Sequence, residues 1–383
     1  TARQFSQGQF TQGFDYYRFP LFPFLLSIPI ALLGFSELLL KTIVAALGAI
    51  GVILTYLTAK KFFDEKTAFW AALIAASAPT YLFFSAHVFT ETLFSVLLLL
   101  ALYLLHDIEK NPKRLIWFGA VCGLAFLTRY TGAILVLILL AYLWKKNSLK
   151  TVFSKNFAGL IAGGIIICIP YLYLSFLKTG NPFGTILAFL SGAVTVNQST
   201  FGLPDKIPFI PSYLLAMLFV LGAISPLLWS ELKQFIENRK QKNKVFGPKN
   251  TILLFVIIFG VMHELWSGFG LFNAPLLRYI AVLAPILGIY AASVAVKLEK
   301  KYLYALIALL LINLLVAQGA MYWFGTQYAK QAEYSEIGLK ATTACTGTIF
   351  SNIPLVISFY TGKPNTDASS ADCLIISEYE PVP

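Results

Sequence analysis

Charge is what this sequence has least of. Asp, Glu, Lys and Arg together make up 12% of its 383 residues, where a soluble domain carries roughly a quarter. So few charges cannot cover a globular surface, which excludes an ordinary soluble protein. Cysteine is scarce as well, with four residues in no metal-binding spacing, so neither a zinc module nor a disulfide scaffold fits. No glycine-rich phosphate loop, Ser/His/Asp signature or metalloprotease motif is visible. What the chain does have is apolar residues, 58% of the total. They gather in long runs, as in a chain whose solvent is lipid.

Ten runs read as transmembrane helices: 38–59, 67–86, 90–106, 114–128, 131–144, 157–177, 210–229, 251–267, 276–296 and 302–324. Most approach the ~20 residues a bilayer requires. The pair 114–128 and 131–144 is short, so either its helices run past these limits or its turn sits below the membrane surface. The earlier stretch from Pro20 to Leu33 holds Pro20, Pro23 and Pro29. Proline disrupts helices, so a bent segment at the interface, or one that re-enters, is expected there.

Lys and Arg orient the spans. Loops on one side hold Lys60, Lys61, Lys66, Lys110, Lys113, Arg114, Lys145, Lys146, Lys150, Lys155, Lys233, Arg239, Lys240, Lys242, Lys244, Lys249, Lys297, Lys300 and Lys301, nineteen in all. The other side holds nine: Arg3, Arg18, Arg129, Lys178, Lys206, Arg278, Lys330, Lys340 and Lys363. Lys41 lies near a span end and can snorkel. The richer side is assigned to the cytoplasm. The net charge of +11 is thereby explained without nucleic acid as a partner.

The fold class expected is an all-α polytopic membrane protein of about ten transmembrane helices over 1–324. A small α/β extracytoplasmic tail over 325–383 follows, in which Gly347–Phe350 and Cys373–Ser377 read as short strands. Residues 1–37, the loop 178–209 and the tail then face outside. Ten spans with both ends outside imply one further span upstream of Thr1. Cys122 and Cys168 lie in apolar runs and read as core. Cys345 and Cys373 can pair if the tail is extracytoplasmic.

Polar residues collect at outward helix ends, where membrane enzymes and transporters line cavities. Asp15 and Arg18 precede the proline-rich stretch and read as an interfacial belt or as neighbours of a substrate site. His87 and Glu91 lie at one outer junction. Glu91 either complements a helix N-terminus capped by Thr90 or points into a cavity. Arg129 sits in the turn Leu127-Thr128-Arg129-Tyr130-Thr131-Gly132. It is held by a structural salt bridge or by a bound phosphate through bidentate hydrogen bonds. His263 and Glu264 end one run, and Arg278 and Tyr279 begin the next. A local Glu264–Arg278 pair is the plain reading, and a phosphate at Arg278 the functional one. Three arginines and two carboxylates on the face otherwise poor in basic residues suit anionic phosphate chemistry. Asn197-Gln198-Ser199 forms a glycosylation sequon in the outer loop.

In their order these segments resemble the GT-C superfamily of membrane glycosyltransferases. The resemblance is nearest to the dolichyl-phosphate-mannose-dependent mannosyltransferase-like branch, with its lipid A aminoarabinose transferases. The likeness is carried by Ala2-Arg3-Gln4-Phe5 with Gly8, Arg18-Phe19-Pro20-Leu21-Phe22-Pro23, Thr90-Glu91-Thr92-Leu93-Phe94, the Thr128-Arg129 turn, Gly180-Asn181-Pro182-Phe183, Arg278-Tyr279 with Pro285, Ser351-Asn352-Ile353-Pro354 and Tyr360-Thr361-Gly362. It implies transfer of a hexose from a polyprenyl-phosphate donor to a lipid, glycan or protein acceptor outside the cytoplasm, in the cytoplasmic membrane or an endomembrane. It further implies a main acidic base upstream of Thr1, with Asp15 a poorer substitute. Glu91 takes the second acidic position, and Arg129 and Arg278 suit the carrier phosphate. Arg18, His87, His263, Glu264 and Tyr279 complete the substrate-binding set. Some relatives use a divalent metal and others do not, and that alternative stays open. A transporter or flippase of a lipid-linked saccharide is the competing reading. It is opposed by the absence of a visible internal repeat. A scaffold would not need charges at these helix ends.

Overall fold

The computed structural model describes residues 1–13, 19–108, 110–146, 148–188, 220–228, 247–268, 277–327, 337, 340–341, 345, 347–351 and 371–375. The chain divides into two compact units, Thr1–Ala317 and Gln318–Pro383.

The larger unit is helical. Its first helices are α1 (Ala2–Ser6), α2 (Phe10–Gly13), α3 (Leu21–Leu33), α4 (Glu37–Phe62), α5 (Glu65–Ser77), α6 (Pro79–Ala86) and α7 (Thr90–Leu105). There follow α8 (Leu115–Thr128), α9 (Ile134–Lys145), α10 (Lys155–Thr179), α11 (Pro248–Gly268), α12 (Leu277–Ala281) and α13 (Ala284–Ala295). The helix α14 (Lys300–Gln327) comes last. Every apolar run of the sequence except 210–229 coincides with one or two of these helices; most of that run lies outside the described residues. Among the described residues, three helices, within α4, α10 and α14, are individually long and apolar enough to cross a bilayer. The pair α5 and α6 forms a fourth candidate, bent by 60° at Ala78 and Pro79. The protein is therefore an integral membrane protein. Ten separate spans are the reading of the sequence, and the helix lengths alone establish fewer.

Pro20–Leu33 forms a helix because two of its prolines sit where helices tolerate them. Pro20 is the N-cap and Pro23 lies in the first turn, where backbone N–H groups have no intrahelical partner. Only Pro29 lies inside. One face buries Phe22, Leu26 and Ile30, while Phe24, Leu25, Ile28, Leu32 and Leu33 are exposed.

The core is built on α7, whose Phe94, Leu98, Leu99, Ala101, Leu102 and Leu105 are fully buried. The helix is apolar around its whole circumference, as a segment packed on all sides must be. Beside it α8 and α10 approach closely at glycines. A Cβ on Gly119 would meet the Leu160 carbonyl, and one on Gly163 would meet the Ile116 carbonyl. Small residues let helix backbones come together in this way in membranes. Cys122 is buried, as expected of a core residue, and Cys168 is half-buried.

At the basic side a polar knot ties three elements together. Asp107 accepts from Lys61 Nζ at 2.7 Å and from His106 Nδ1 at 2.8 Å, and pairs with Arg114 Nη1. Burial works to raise the Asp107 carboxyl. The hydrogen bonds from Lys61 and His106, with the charges of Lys61 and Arg114, outweigh it and hold the group below its ordinary 3.8. A depressed carboxyl stabilises the fold above its unfolded pKa and loses that contribution as pH falls through the folded value. Acidification below about pH 4 should therefore lower the unfolding midpoint of the wild type more than that of Asp107→Asn. At neutral pH the variant should lie about 1–3 kcal/mol lower, because hydrogen bonds to a charged group are lost. Unfolding midpoints of both proteins over that range test this, and parallel curves would refute it.

In the smaller unit, strands β1 (Ile349–Ser351) and β2 (Cys373–Ile375) pair in parallel, with Ile349 opposite Cys373. Cys345 and Cys373 form a disulfide whose Cα atoms are 6.0 Å apart. Asp372 receives the backbone N–H of Thr348 at 2.6 Å and its hydroxyl at 2.8 Å.

A candidate active site at the outer end of α7

The first turn of α7 carries Thr90, Glu91 and Phe94. The helix starts at Thr90 itself, with Phe89 as an N-cap that offers no side-chain hydrogen bond. Thr90 is thus not the cap the sequence suggested. Its hydroxyl instead accepts from Arg129 Nη1 at 3.1 Å and lies 3.4 Å from Glu91 Oε2.

Arg129 arrives from α8, thirty-eight residues further along the chain. It lies in extended backbone between α8 and a 3₁₀ turn, Tyr130–Ala133. Gly132 closes that turn, its N–H donating to the Arg129 carbonyl at 2.8 Å. The turn lies against the backbone of Ala125 and Phe126, where a Cβ on Gly132 would collide. This fixes the direction of the Arg129 side chain.

The result is a buried ion pair. Arg129 Nη1 donates to Glu91 Oε1 at 2.8 Å, and the two side chains are 10% and 1% exposed. A buried pair needs further contacts to offset its desolvation. The guanidinium lies 4.8 Å from the centre of the Tyr279 ring and 5.9 Å from that of Phe94, both cation–π distances. Ser95, one turn along α7 from Glu91, donates to the Val282 carbonyl at 2.8 Å and so anchors the segment that carries Tyr279. Both side-chain hydrogen bonds that Arg129 gives among the described residues leave from Nη1. The other edge of its fork is therefore not committed to a described group. Two residues on, the Thr131 hydroxyl is buried without a hydrogen-bond partner among the described residues.

His87 stands at the end of α6, half-buried. Its Nδ1 is 2.7 Å from the Phe83 carbonyl. That nitrogen must carry the proton to donate there, which leaves Nε2 as an acceptor in the neutral ring.

The structure thus brings Glu91, Arg129 and Tyr279 together, with His87 at the neighbouring helix end. Asp15 and Arg18 lie outside the described residues, as do the side chains of His263, Glu264 and Arg278. Sequence reasoning missed Thr90 as a bridging hydroxyl, Phe94 as a cation–π partner, Ser95 as an anchor and Thr131 as a free donor. The helical spacing of Glu91 and Ser95 was the one signal that could have placed Ser95 on the same face. No group of three His, Cys, Asp or Glu side chains among the described residues could hold a metal ion. Glu91, the one carboxylate described at this site, is already engaged by Arg129. The described residues of this site therefore offer a divalent cation no ligand set.

Comparison with known proteins agrees with the architecture. No curated protein sequence matches the chain. Among solved structures it is similar to ArnT from Cupriavidus metallidurans bound to undecaprenyl phosphate, with a TM-score of 0.62, 17% identity, and coverage of 94% of this chain and 62% of that one. The apo form of ArnT gives 0.60, 16%, 94% and 61%. The oligosaccharyltransferase AglB from Archaeoglobus fulgidus, in complex with an inhibitory peptide and a dolichol-phosphate, gives 0.54, 16%, 99% and 57%. The chain spans about six-tenths of the ArnT length it matches. Residues 18–174, which include His87, Glu91 and Arg129, match the family described as dolichyl-phosphate-mannose-protein mannosyltransferase. The chain shares the fold of these solved structures, and residues 18–174 match the mannosyltransferase family model.

Proposed function

We propose that this protein transfers a hexose from a polyprenyl-phosphate donor to an acceptor on the extracytoplasmic face of its membrane. The observation that carries this reading is the buried Glu91–Arg129 pair roofed by Tyr279. A largely buried arginine with one edge of its fork not committed to a described group is suited to a phosphate. The leaving group of a polyprenyl-phosphate sugar is already a stabilised anion. The enzyme's tasks are then to hold that anion and to take a proton from the acceptor hydroxyl.

Arg129 receives the phosphate through its open edge, with Thr131 as a neutral donor beside it. Glu91 keeps Arg129 in position and prevents it from turning towards lipid. His87, its Nε2 free to accept, is placed to orient a sugar or acceptor hydroxyl. Arg278, one residue before Tyr279, is the second phosphate partner in this reading; Asp15 is the candidate carboxylate that takes the acceptor proton, and Arg18, His263 and Glu264 are outer substrate contacts. The neighbours named above are described as bound to undecaprenyl phosphate and dolichol-phosphate, which supports the donor class. The Cys345–Cys373 disulfide belongs to an oxidising compartment, which supports an extracytoplasmic tail. The membrane, whether cytoplasmic or internal, and the acceptor, whether lipid, glycan or protein, are read from the family resemblance.

The test is transfer of radiolabelled sugar from polyprenyl-phosphate hexose by the protein in vesicles. Glu91→Gln keeps the shape but removes the charge that holds Arg129. It should lower transfer about 10²-fold or more, as losing one preorganised charge contact does. Undiminished transfer by Glu91→Gln would remove the site assignment.

A further inference from the structure

A cavity lies at the opposite end of the helices that carry Glu91 and Arg129. Glu91 opens α7 and Arg129 follows the end of α8, while the other ends of both helices lie about 20 Å away along their axes. There, on the side rich in Lys and Arg, a cavity of about 400 Å³ is lined by Tyr103, Leu104, Asn111, Lys113, Arg114 and Trp117.

Its lining has two halves. Lys113, Arg114 and the Asn111 amide supply donors, and no lining residue is a carboxylate. Leu104, Trp117 and the ring of Tyr103 supply apolar surface. The carboxylate behind the wall, Asp107, is already shared by Lys61 and Arg114. Lys61 also lies 3.6 Å from the centre of the Tyr103 ring. Lys61, Lys113 and Arg114 thus face one described anion, Asp107, and the cavity keeps a positive balance. Glu109 lies outside the described residues.

The position fits a leaflet surface. Trp117 is 67% exposed, and its neighbour Ile116 is 41% exposed. An exposed tryptophan one turn into an apolar helix, next to Lys and Arg at the helix start, is the pattern of a membrane interface. We propose that this cavity binds the phosphate of an anionic membrane lipid in the leaflet of the basic loops. Lys113, Arg114 and Asn111 hold the phosphate, and Trp117 and Leu104 lie along the upper acyl chains. A lipid rather than free phosphate is the ligand, because half the lining has nothing to offer a small hydrated anion. The site does not depend on the transferase reading. It would fix the depth of the α7–α8 hairpin, and hence of Glu91 and Arg129, in the bilayer.

The test uses the full chain in phosphatidylcholine vesicles containing one-fifth phosphatidylglycerol. Lipids retained after detergent extraction are counted by native mass spectrometry. The wild type should retain phosphatidylglycerol over phosphatidylcholine. Lys113→Ala should reduce that retention about five-fold, the worth of one lysine near a charged surface, while Lys113→Arg should keep it. Trp117→Leu should reduce it as well. Equal retention of the two lipids overturns the proposal, and so does equal loss in Lys113→Ala and Lys113→Arg. If inorganic phosphate alone, without lipid, raises the unfolding temperature as much as phosphatidylglycerol does, the lipid assignment is overturned.

Discussion

Arg129→Met should unfold at much lower temperature or denaturant than the wild type, by about 3–5 kcal/mol, the range for removing one partner of a buried ion pair. The reason is what remains. Glu91 is 1% exposed and would be left as a carboxylate with its main partner gone. It must then keep an uncompensated charge or take up a proton. Glu91→Gln should be milder, because the amide oxygen still accepts from Arg129 Nη1. The double variant Glu91→Gln with Arg129→Met removes both charges and should regain most of the lost stability, since a neutral replacement of a buried pair is often near-neutral. Activity should not return with it. A merely structural ion pair would let stability and transfer recover together, and this cycle therefore separates architecture from chemistry.

The second large effect is expected at Asn313. Its side chain is fully buried in α14. It donates to the Leu221 carbonyl at 2.9 Å and accepts from the Ala223 N–H at 2.7 Å. A 3₁₀ turn, Gly222–Ile224, interrupts the chain there, with Ser225 N–H donating to the Gly222 carbonyl at 3.1 Å and Ile224 N–H to the Leu221 carbonyl at 3.4 Å. Thr80, in α6 just after the bend at Pro79, donates to the Val220 carbonyl at 2.8 Å. Two side chains thus bridge the backbone of this one segment, since unsatisfied backbone is not tolerated at membrane depth. Asn313→Leu fills a similar volume but orphans the Ala223 N–H and leaves the Leu221 carbonyl only the long 3.4 Å bond from Ile224 N–H. It should cost about 1–3 kcal/mol, the range for one desolvated backbone group. Asn313→Gln should not rescue it, because the space is filled closely enough that a Cβ on Gly222, itself at φ +59°, would collide with the Asn313 oxygen. Unfolding of both variants in the same detergent measures this. A midpoint for Asn313→Leu equal to that of the wild type would show that the turn does not depend on the bridge.

The helices were legible in the sequence because hydropathy reports burial in lipid or protein directly. Their ends were less so. Thr90 looked like a cap and is the first residue of α7, because its hydroxyl is drawn to Arg129 instead of to its own helix. Pro20 and Pro23 looked like breakers and are helix starters, because a proline's effect depends on its place in the first turn. The outward polar residues were legible as a set, but their pairing was not. Glu91 and Arg129 are thirty-eight residues apart, and no spacing rule links two helix ends that meet only through packing. The sequence reading allowed Arg129 a structural salt bridge or a bound phosphate. The structure supplies the salt bridge and leaves the other edge of the guanidinium open. Asn313 drew no notice, since an asparagine in an apolar run shows neither the broken backbone it meets nor its distance from the site.

The central claim is that Arg129, held by Glu91, receives the phosphate of an isoprenoid carrier. The most direct measurement is the affinity of the purified chain in nanodiscs for undecaprenyl phosphate, compared with the stable double variant Glu91→Gln with Arg129→Met. Loss of a charge-assisted phosphate contact worth about 1.5–3 kcal/mol should weaken binding roughly ten- to a hundred-fold. Equal affinity in the two proteins would contradict the account.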